Sequence, residues 1–386
     1  MFQEPLRTGL AKRRAQHLYR HRRLREGPQQ VDLSHDGAML LSFCSNDYLG
    51  LANHPEVVTA LAEGARRYGV GAGASHLVSG HMRVHQELEE ALAAFVGRPR
   101  ALLFSSGYLA NLGLLQALAD RRSVIFEDRL NHASLLDAAR LCKARVRRIP
   151  HRDSARLGEW LRGEDSRGPR FVVTDGVFSM DGDLADLPVL DRLCADEGAL
   201  LVVDDAHGLG VMGATGRGTF ERLGVRPGAH NLVMGTLGKA FGVAGAFVAG
   251  DEVIIETLIQ RARTYIYTTA SPPALAYALL RSLALVEREG WRRERLNSHI
   301  DRFRRGAHTL GIPLLPSETP IQPVVLGDPE RALAVSAGLE QEGFIVPAIR
   351  PPTVPTGSAR LRITLSAAHE PWHIERLLDA LGRLCR

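Results

Sequence analysis

Short apolar runs alternate with stretches of helical periodicity from about residue 85 to about residue 285. Runs of this length, rich in Val, Leu, Ile and Phe, are typical of buried strands, and the stretches between them have the spacing of amphipathic helices. This alternation is characteristic of an α/β fold with a largely parallel sheet. The pattern predicts seven strands in one large domain, over 101–104, 124–126, 145–149, 171–174, 200–203, 232–234 and 246–249.

The two ends of the chain have a different pattern. Residues 10–25 have the periodicity of an amphipathic helix, and a hairpin with strands over 30–33 and 38–43 is predicted around Asp36-Gly37. Beyond residue 311 the pattern changes to that of a smaller α+β region, with a strand over 321–326, a helix over 329–342, strands over 344–346 and 360–365, and a final helix ending at Cys385.

Three segments are therefore expected. Residues 1–45 would form an N-terminal helix and hairpin, residues 46–285 the large domain, and residues 286–386 a small C-terminal α+β domain.

The composition is that of a globular protein: 45% of the residues are hydrophobic, 24% are charged, and no apolar run is long enough to cross a membrane. The first residues lack the apolar core of a secretory signal. The four cysteines include no C-x-x-C pair, which argues against both a disulfide framework and a zinc cluster. We expect a cytoplasmic protein with no metal and no membrane association.

The net charge of +5 is modest, but Lys12 to Arg25 is dense in Arg and His. Two interpretations stay open for this segment. It could be the solvated face of a helix whose Leu10, Ala11, Leu18 and Leu24 turn inward, or it could meet an anion such as nucleic acid or a phosphorylated acyl carrier.

A single lysine, Lys239, lies between two apolar runs and among several glycines. The chain has 48 basic residues but only three lysines, so arginine fills almost every position that needs only positive charge. Lysine differs from arginine because its amine can lose a proton in an apolar pocket and attack a carbonyl. Gly238 and Gly242 would let a flat ligand approach the backbone. The alternative is a lysine on a solvated turn.

Polar segments follow four of the predicted strands. In open α/β sheets, ligands bind beyond the carboxyl ends of the strands, so these segments are expected to converge on one crevice. They cover residues 105–108, 174–181, 204–207 and 236–239.

Asp204 ends a strongly apolar run, and His207 follows three positions later. A buried carboxylate requires a cationic or hydrogen-bonding partner, and a protonated pyridine nitrogen would serve. Two alternatives remain open, a metal site and a structural ion pair. No further Cys, His or Glu set at ligand spacing accompanies Asp204 and His207, which disfavours a metal.

Two further segments precede predicted helices. The backbone N–H groups around Gly107 and Tyr108 would form a phosphate site at a helix N-terminus. His132 could cap the next helix or lie flat on an aromatic ring. An imine-forming lysine, an aspartate for a ring nitrogen, a phosphate site and a stacking histidine together indicate pyridoxal 5′-phosphate as the cofactor.

The order of these motifs resembles the α-oxoamine synthases, a family with fold type I of the pyridoxal-phosphate-dependent transferases. The resemblance covers essentially the whole chain and rests on His132, Ser179 in Val177-Phe-Ser-Met-Asp-Gly-Asp183, Asp204-Asp-Ala-His-Gly208 and Thr236-Leu-Gly-Lys239. It implies a large domain with a seven-stranded, mainly parallel sheet and a smaller α+β domain. Ser45-Asn-Asp-Tyr-Leu-Gly50, Ser134 and the stretch 348–355 followed by 360–365 resemble the members that act in biotin synthesis.

The resemblance implies a role for each matching residue around the cofactor. Lys239 would form the imine with its aldehyde, Asp204 would contact the pyridine nitrogen, and His132 would stack on the ring. His207 and Ser179 would lie near the ring hydroxyl. The phosphate would be held by Gly107, Tyr108 and Thr236, together with Thr268 or Thr269 from a second subunit of a homodimer with shared active sites.

The substrates are implied in the same way. L-Alanine would condense with a pimeloyl thioester, carried on coenzyme A or on an acyl carrier protein, with loss of carbon dioxide and the thiol. Arg350 would pair with a substrate carboxylate with Asn46 nearby, while Arg20 and Thr353 would contact the acyl substrate. Asp175 departs from the family, which often has glutamate there, and its shorter reach leaves its contacts open.

Two other functions stay open. A sister enzyme of the family condenses glycine with a short acyl-CoA, as in glycine C-acetyltransferase, and chain length is not encoded in these motifs. A non-enzymatic alternative is a nucleic-acid-binding regulator that uses the basic segment from Lys12 to Arg25 on a body of the same fold.

Overall fold

The computed structural model describes residues 2–35, 37–165 and 167–385. The chain forms two compact units. The larger unit comprises residues 49–179 and 183–293, and the smaller unit comprises residues up to 48, 180–182 and 294 onward. The three segments expected from the sequence remain a proposal. The predicted hairpin turn includes Asp36, which lies outside the described residues.

A seven-stranded sheet is the centre of the larger unit, in the order β3-β9-β8-β7-β6-β4-β5. Neighbouring strands are parallel except that β9 runs antiparallel to both β3 and β8. The predicted seven-stranded, mainly parallel sheet is therefore confirmed. Its strands are β3 (Arg100–Phe104), β4 (Val124–Asp128), β5 (Arg145–Ile149), β6 (Arg170–Asp175), β7 (Leu200–Asp204), β8 (Asn231–Thr236) and β9 (Ala246–Gly250).

Helices alternate with these strands, and several of them carry an apolar face that packs on the sheet. Leu114, Leu135 and Leu258, from three different helices, are fully buried in one core cluster with strand residues such as Val202 and Val248. The helices of this unit are α2 (Pro55–Tyr68), α3 (Arg83–Phe95), α4 (Gly107–Leu118), α5 (Ala133–Leu141), α6 (Ser154–Arg162), α7 (Leu187–Glu197), α8 (Thr219–Arg222), α9 (Glu252–Arg261), α10 (Arg263–Ile266) and α11 (Pro273–Arg288).

The smaller unit contains two three-stranded sheets. One has the order β1-β2-β11 and the other the order β10-β13-β12. The strands are β1 (Asp32–His35), β2 (Ala38–Ser42), β10 (Ile321–Gly327), β11 (Phe344–Ile345), β12 (Ala348–Ile349) and β13 (Ala359–Thr364). The helices are α1 (Gln3–Ala15), most of α12 (Trp291–Thr309), α13 (Pro329–Gln341) and α14 (Pro371–Leu384).

The N-terminal helix differs from its prediction. It covers Gln3–Ala15 instead of residues 10–25, and none of its residues is buried. Leu10 is 45% exposed and Leu24 is 75% exposed, so the expected inward-facing stripe does not form. The basic residues from 18 to 25 belong to neither a helix nor a strand. No helix in the described ranges is long and apolar enough to span a bilayer.

Candidate active site

A cavity of about 190 Å³ opens where the carboxyl ends of five parallel strands, β3, β4, β6, β7 and β8, meet the loops and helices that follow them. The predicted convergence of the polar segments is therefore observed within the larger unit. The cavity is lined by Gly107, Tyr108, His132, Ser134, Asp175, Ser179, Asp204, Ala206, His207, Met234, Thr236 and Lys239.

Lys239 lies in the loop between β8 and β9 and is half-buried. Its Nζ is 2.8 Å from Nε2 of His207, so the histidine fixes the position of the amine in the cavity. Gly242 was expected to let a ligand approach the backbone, but the structure gives another reason for glycine at this position. Its φ is +70°, and a Cβ there would lie 2.4 Å from the backbone N of Ala52. Chain packing thus requires glycine at 242, whereas a Cβ on Gly238 would meet nothing closer than 3.9 Å.

Asp204 ends β7 and is only 5% exposed. Its Oδ1 accepts a hydrogen bond from the backbone N–H of Ala206 at 3.0 Å, and its Oδ2 accepts one from Nδ2 of Asn111 at 2.7 Å. These bonds orient the carboxylate at the cavity wall and partly compensate its desolvation.

The N-terminus of α4 supplies backbone donors to the cavity. The helix begins at Gly107, and the Ser106 side chain caps it by accepting from the N–H of Leu109. A Cβ on Gly107 would lie 3.4 Å from Cε of Met234, on the cavity side. A helix start with free N–H groups suits an anion such as a phosphate. The Tyr108 hydroxyl donates to Asp137, a bond that raises the pKa of the tyrosine.

His132 is the N-cap of α5, and its ring Nδ1 accepts from the backbone N–H of Ser134 at 3.3 Å. Its own backbone N–H donates to Oδ2 of Asp175 at 2.8 Å, which answers the open question about the reach of that carboxylate. Desolvation by the surrounding protein lowers the pKa of His132. Burial, reinforced by the nearby Asp204, raises the pKa of Asp175 well above its usual range.

The remaining predicted residues do not line this cavity. Thr269 is exposed and forms a β-bridge with Ser75, and Thr268 is half-buried beside it. The four predicted substrate contacts belong to the smaller unit, where Nη2 of Arg20 lies 3.4 Å from Oγ1 of Thr353.

In the same unit, the Arg350 guanidinium donates to the backbone carbonyl of His17. Burial, with the nearby Arg20, lowers the pKa of Arg350. Asn46 accepts from the guanidinium of Arg362 at 3.3 Å.

The sequence analysis did not predict two residues, one beside the cavity and one beside the expected substrate contacts of the smaller unit. Asn111 is fully buried and bonds to both Asp204 and Ser134. Its signal is an amide within the apolar run of α4, which also contains Gln116. Arg362 is only 6% exposed although it is charged, and it lies at the centre of β13. Its signal in the sequence is an arginine within a predicted buried strand, where charged residues are rare.

The donor set of the cavity fits pyridoxal phosphate. An amine, a buried carboxylate and a helix N-terminus face one space, and these match an aldehyde, a pyridine nitrogen and a phosphate respectively. None of the groups of His, Cys, Asp and Glu that could hold a metal in the described ranges includes Asp204 or His207.

Comparisons with known proteins identify the family. A sequence profile for aminotransferases of class I and II matches residues 38–381. An 8-amino-7-oxononanoate synthase from Thioalkalivibrio sulfidiphilus is 57% identical over 381 residues, which cover 99% of this chain and 97% of the relative. The chain belongs to the 8-amino-7-oxononanoate synthase family.

Solved structures confirm the fold for this family member. A serine palmitoyltransferase of S. paucimobilis with a bound PLP-myriocin aldimine has a TM-score of 0.93 at 28% identity, covering 99% of this chain and 97% of that one. An 8-amino-7-oxononanoate synthase from Francisella tularensis has a TM-score of 0.77 at 31% identity, covering 89% and 97%. Fold similarity alone therefore does not separate the substrates of these enzymes.

Proposed function

We propose that this protein is a pyridoxal-phosphate-dependent acyltransferase of biotin synthesis. It condenses L-alanine with a pimeloyl thioester to give 8-amino-7-oxononanoate, carbon dioxide and a free thiol. The observation that carries the proposal is the single cavity that holds the Lys239 amine, the Asp204 carboxylate and the N-terminus of α4, in a chain 57% identical to an enzyme of that name.

The residues that would hold the cofactor follow from the cavity. Gly107 and Tyr108 at the start of α4, with Thr236, would hold the phosphate, and Thr268 or Thr269 of a second subunit would complete that site. His132 would lie against the ring. His207 and Ser179, which line the same cavity, would hold the ring hydroxyl.

Asp204 is assigned to the pyridine nitrogen because its two hydrogen bonds hold the carboxylate in one orientation at the cavity wall. When bound, pyridoxal phosphate supplies an aldehyde that takes up the amine of the substrate and a protonated ring that withdraws electrons from the bonds at Cα.

Lys239 acts as the base and acid of the reaction. Its amine, held 2.8 Å from His207, removes the Cα proton of alanine and later returns a proton to the same carbon. Between these steps Cα bonds to the thioester carbonyl, the thiol leaves, and the alanine carboxylate departs as carbon dioxide.

The substrate carboxylate needs a cation that fixes which Cα bond breaks. Arg350 is proposed for this contact, with Asn46, while Arg20 and Thr353 contact the acyl substrate. Arg362 is a second candidate because its guanidinium is buried and bonds to Asn46, whereas the Arg350 guanidinium donates to His17.

The thioester is carried on coenzyme A or on an acyl carrier protein, and the enzyme works as a cytoplasmic homodimer. The nearest alternative is a sister synthase that uses glycine. A nucleic-acid-binding role for the exposed basic segment would require a salt-dependent affinity for DNA.

Purified protein tests the proposal directly. Paired amino acids and acyl thioesters should give turnover only with L-alanine and a pimeloyl thioester, and a preference for glycine with acetyl-CoA would contradict it. The protein should absorb as a yellow imine, and Lys239→Ala should lose both this absorbance and turnover. Lys12→Ala, which removes an exposed lysine of α1, is the matched control and should keep both. A colourless but fully active Lys239→Ala variant would overturn the assignment.

A further inference from the structure

We infer that Asn111 and Ser134 are positioning residues that hold His132 as a neutral imidazole with its proton on Nε2. The tautomer follows from hydrogen bonds in this chain, and only its purpose rests on the proposed function. The four residues Asp204, Asn111, Ser134 and His132 form one continuous chain of contacts, the relay.

The relay begins at Asp204. Nδ2 of Asn111 lies 2.7 Å from Oδ2 of Asp204, and a carboxylate oxygen accepts from the NH₂ group of an amide and not from its carbonyl oxygen. The side chain of Asn111 is fully buried, and in the described part of the chain its Oδ1 has no hydrogen-bond partner. Both bonds of this amide are therefore made through nitrogen, and the orientation is fixed by Asp204.

The same nitrogen sets the direction of the next bond. Nδ2 of Asn111 lies 2.8 Å from Oγ of Ser134, which consequently accepts. The hydroxyl proton of Ser134 is then free to donate, and Nδ1 of His132 lies 2.8 Å away. The backbone N–H of Ser134 also points at Nδ1, at 3.3 Å. Two donors converge on this atom, so it must carry a lone pair, and the ring proton is on Nε2.

The surroundings of the ring agree with a neutral state. Desolvation lowers the pKa of His132, and the positive charge of Lys239 adds to this effect, while the negative charges of Asp204 and Asp137 oppose it. The Asp175 carboxylate faces the backbone N–H of His132. A proton on Nδ1 would also point at the hydroxyl and the backbone N–H of Ser134, which both donate to this atom.

The relay gives Asp204 two linked effects in the proposed reaction. The carboxylate would favour a protonated pyridine ring, and through Asn111 and Ser134 it would prevent a second positive charge on the His132 imidazole beside that ring. A cationic His132 stacked on a cationic ring would weaken cofactor binding by like-charge repulsion.

The tautomer can be measured by nitrogen NMR on the full chain labelled with ¹⁵N-histidine, with and without added pyridoxal phosphate. Loss of signals in His132→Asn assigns the ring. Across about pH 6 to 8, Nδ1 should lack a proton and Nε2 should carry one. A proton on Nδ1 of the unaltered protein would overturn the inference, and this result needs no variant to fold.

Variants then test the relay itself. Ser134→Ala removes the hydroxyl donor, so the ring should become a mixture of tautomers and its pKa should rise toward the ordinary value. Ser134→Thr should restore the Nε2–H form. Ser336→Ala is a matched control, since it removes a buried hydroxyl that donates to the carbonyl of Val346 in the smaller unit. An unchanged tautomer and pKa in both Ser134→Ala and Asn111→Leu would contradict the relay.

The experiment separates this inference from the proposed function. If no cofactor binds but Nδ1 is unprotonated and responds to Ser134→Ala, the relay stands and the proposed function fails. If the cofactor binds and turnover is seen while Ser134→Ala leaves the tautomer unchanged, only the relay fails.

Discussion

Lys239 and Asp204 are the amine and the carboxylate of the proposed site, and each depends on a neighbour for its position. His207 holds the amine at 2.8 Å, and Asn111 holds the carboxylate at 2.7 Å. Lys239 and Asp204 could be predicted because each is an exception in its context, a lysine in an arginine-rich chain and an acid at the end of an apolar run. Asn111 could not, because one amide in a helix has no spacing that points to a partner 93 residues away.

Arg350 and Arg362 offer a direct test of how the amino acid is bound. Arg350→Ala should raise the KM for L-alanine by about 10- to 100-fold, because a charge-assisted bond to a carboxylate contributes about 1.5–3 kcal/mol. The KM for the thioester should change far less. Steady-state kinetics with each substrate varied in turn gives both constants.

Three controls sharpen this test. Arg350→Lys keeps the charge but not the bidentate fork, and should recover only part of the affinity. Arg305→Ala, at an exposed position of α12, should have no effect. If the increase for alanine appears in Arg362→Ala and not in Arg350→Ala, the buried arginine beside Asn46 binds the carboxylate instead.

At the scale of elements, the strands could be predicted and the N-terminal helix could not. Six of the seven strands of the large sheet contain an apolar run, because a strand covered on both faces needs one. The exception is β5, which lies at the edge of the sheet and holds three arginines. All seven were predicted within a few residues. The sequence of residues 10–25 has helical periodicity too, but α1 ends at Ala15 and buries nothing. Helical periodicity alone therefore does not locate the end of this helix, since residues 18–25 have it but form no helix.

The loop after β6 is tied to the ends of two strands by a charged histidine. Nδ1 of His151, just after β5, lies 3.1 Å from the Asp128 carboxylate at the end of β4. Its Nε2 lies 2.9 Å from Oδ2 of Asp183, in the loop after β6. Hydrogen bonds to the two carboxylates outweigh desolvation and raise the pKa of His151 from 6.5 to about 9. This loop carries Ser179 to the cavity.

His151→Leu should therefore destabilise the protein in a pH-dependent way. Because the pKa is raised on folding, the stabilisation is fully present below pH 6.5 and is lost as the pH rises through about 9. At about pH 6 the variant should lose at most about 3 kcal/mol of unfolding free energy, since one pKa unit corresponds to about 1.4 kcal/mol.

Urea denaturation across the pH range measures this difference. His308→Gln, at an exposed position of α12, is the control and should follow the unaltered protein throughout. A gap between His151→Leu and the unaltered protein that grows from about pH 6.5 to 9 would contradict the predicted charge on His151.

At the scale of the whole molecule, the phosphate site predicted from the sequence includes residues that a single chain does not bring together. The cavity gathers eight of the predicted cofactor residues in one unit, yet Thr268 and Thr269 do not line it. Either these threonines have no part in the phosphate site, or they serve the site of a second copy. Two-fold symmetry makes the second case reciprocal, because each subunit then completes the site of the other.

The reciprocal arrangement predicts a homodimer whose variants complement each other. The protein should sediment near twice 42.2 kDa. Lys239→Ala and a Thr268→Ala, Thr269→Ala double variant should each be impaired as pure dimers. A heterodimer of the two has one intact site, with Lys239 from one chain and both threonines from the other. Equal mixing with subunit exchange should therefore restore about a quarter of full activity.

Mixing the same proteins without subunit exchange is the control, and it should restore nothing. A fully active monomer would exclude shared sites. If heterodimers form but regain no activity, Thr268 and Thr269 either act in the same chain as Lys239 or have no part in the phosphate site. Complementation is decisive because no property of either pure variant can supply a site that needs residues from both.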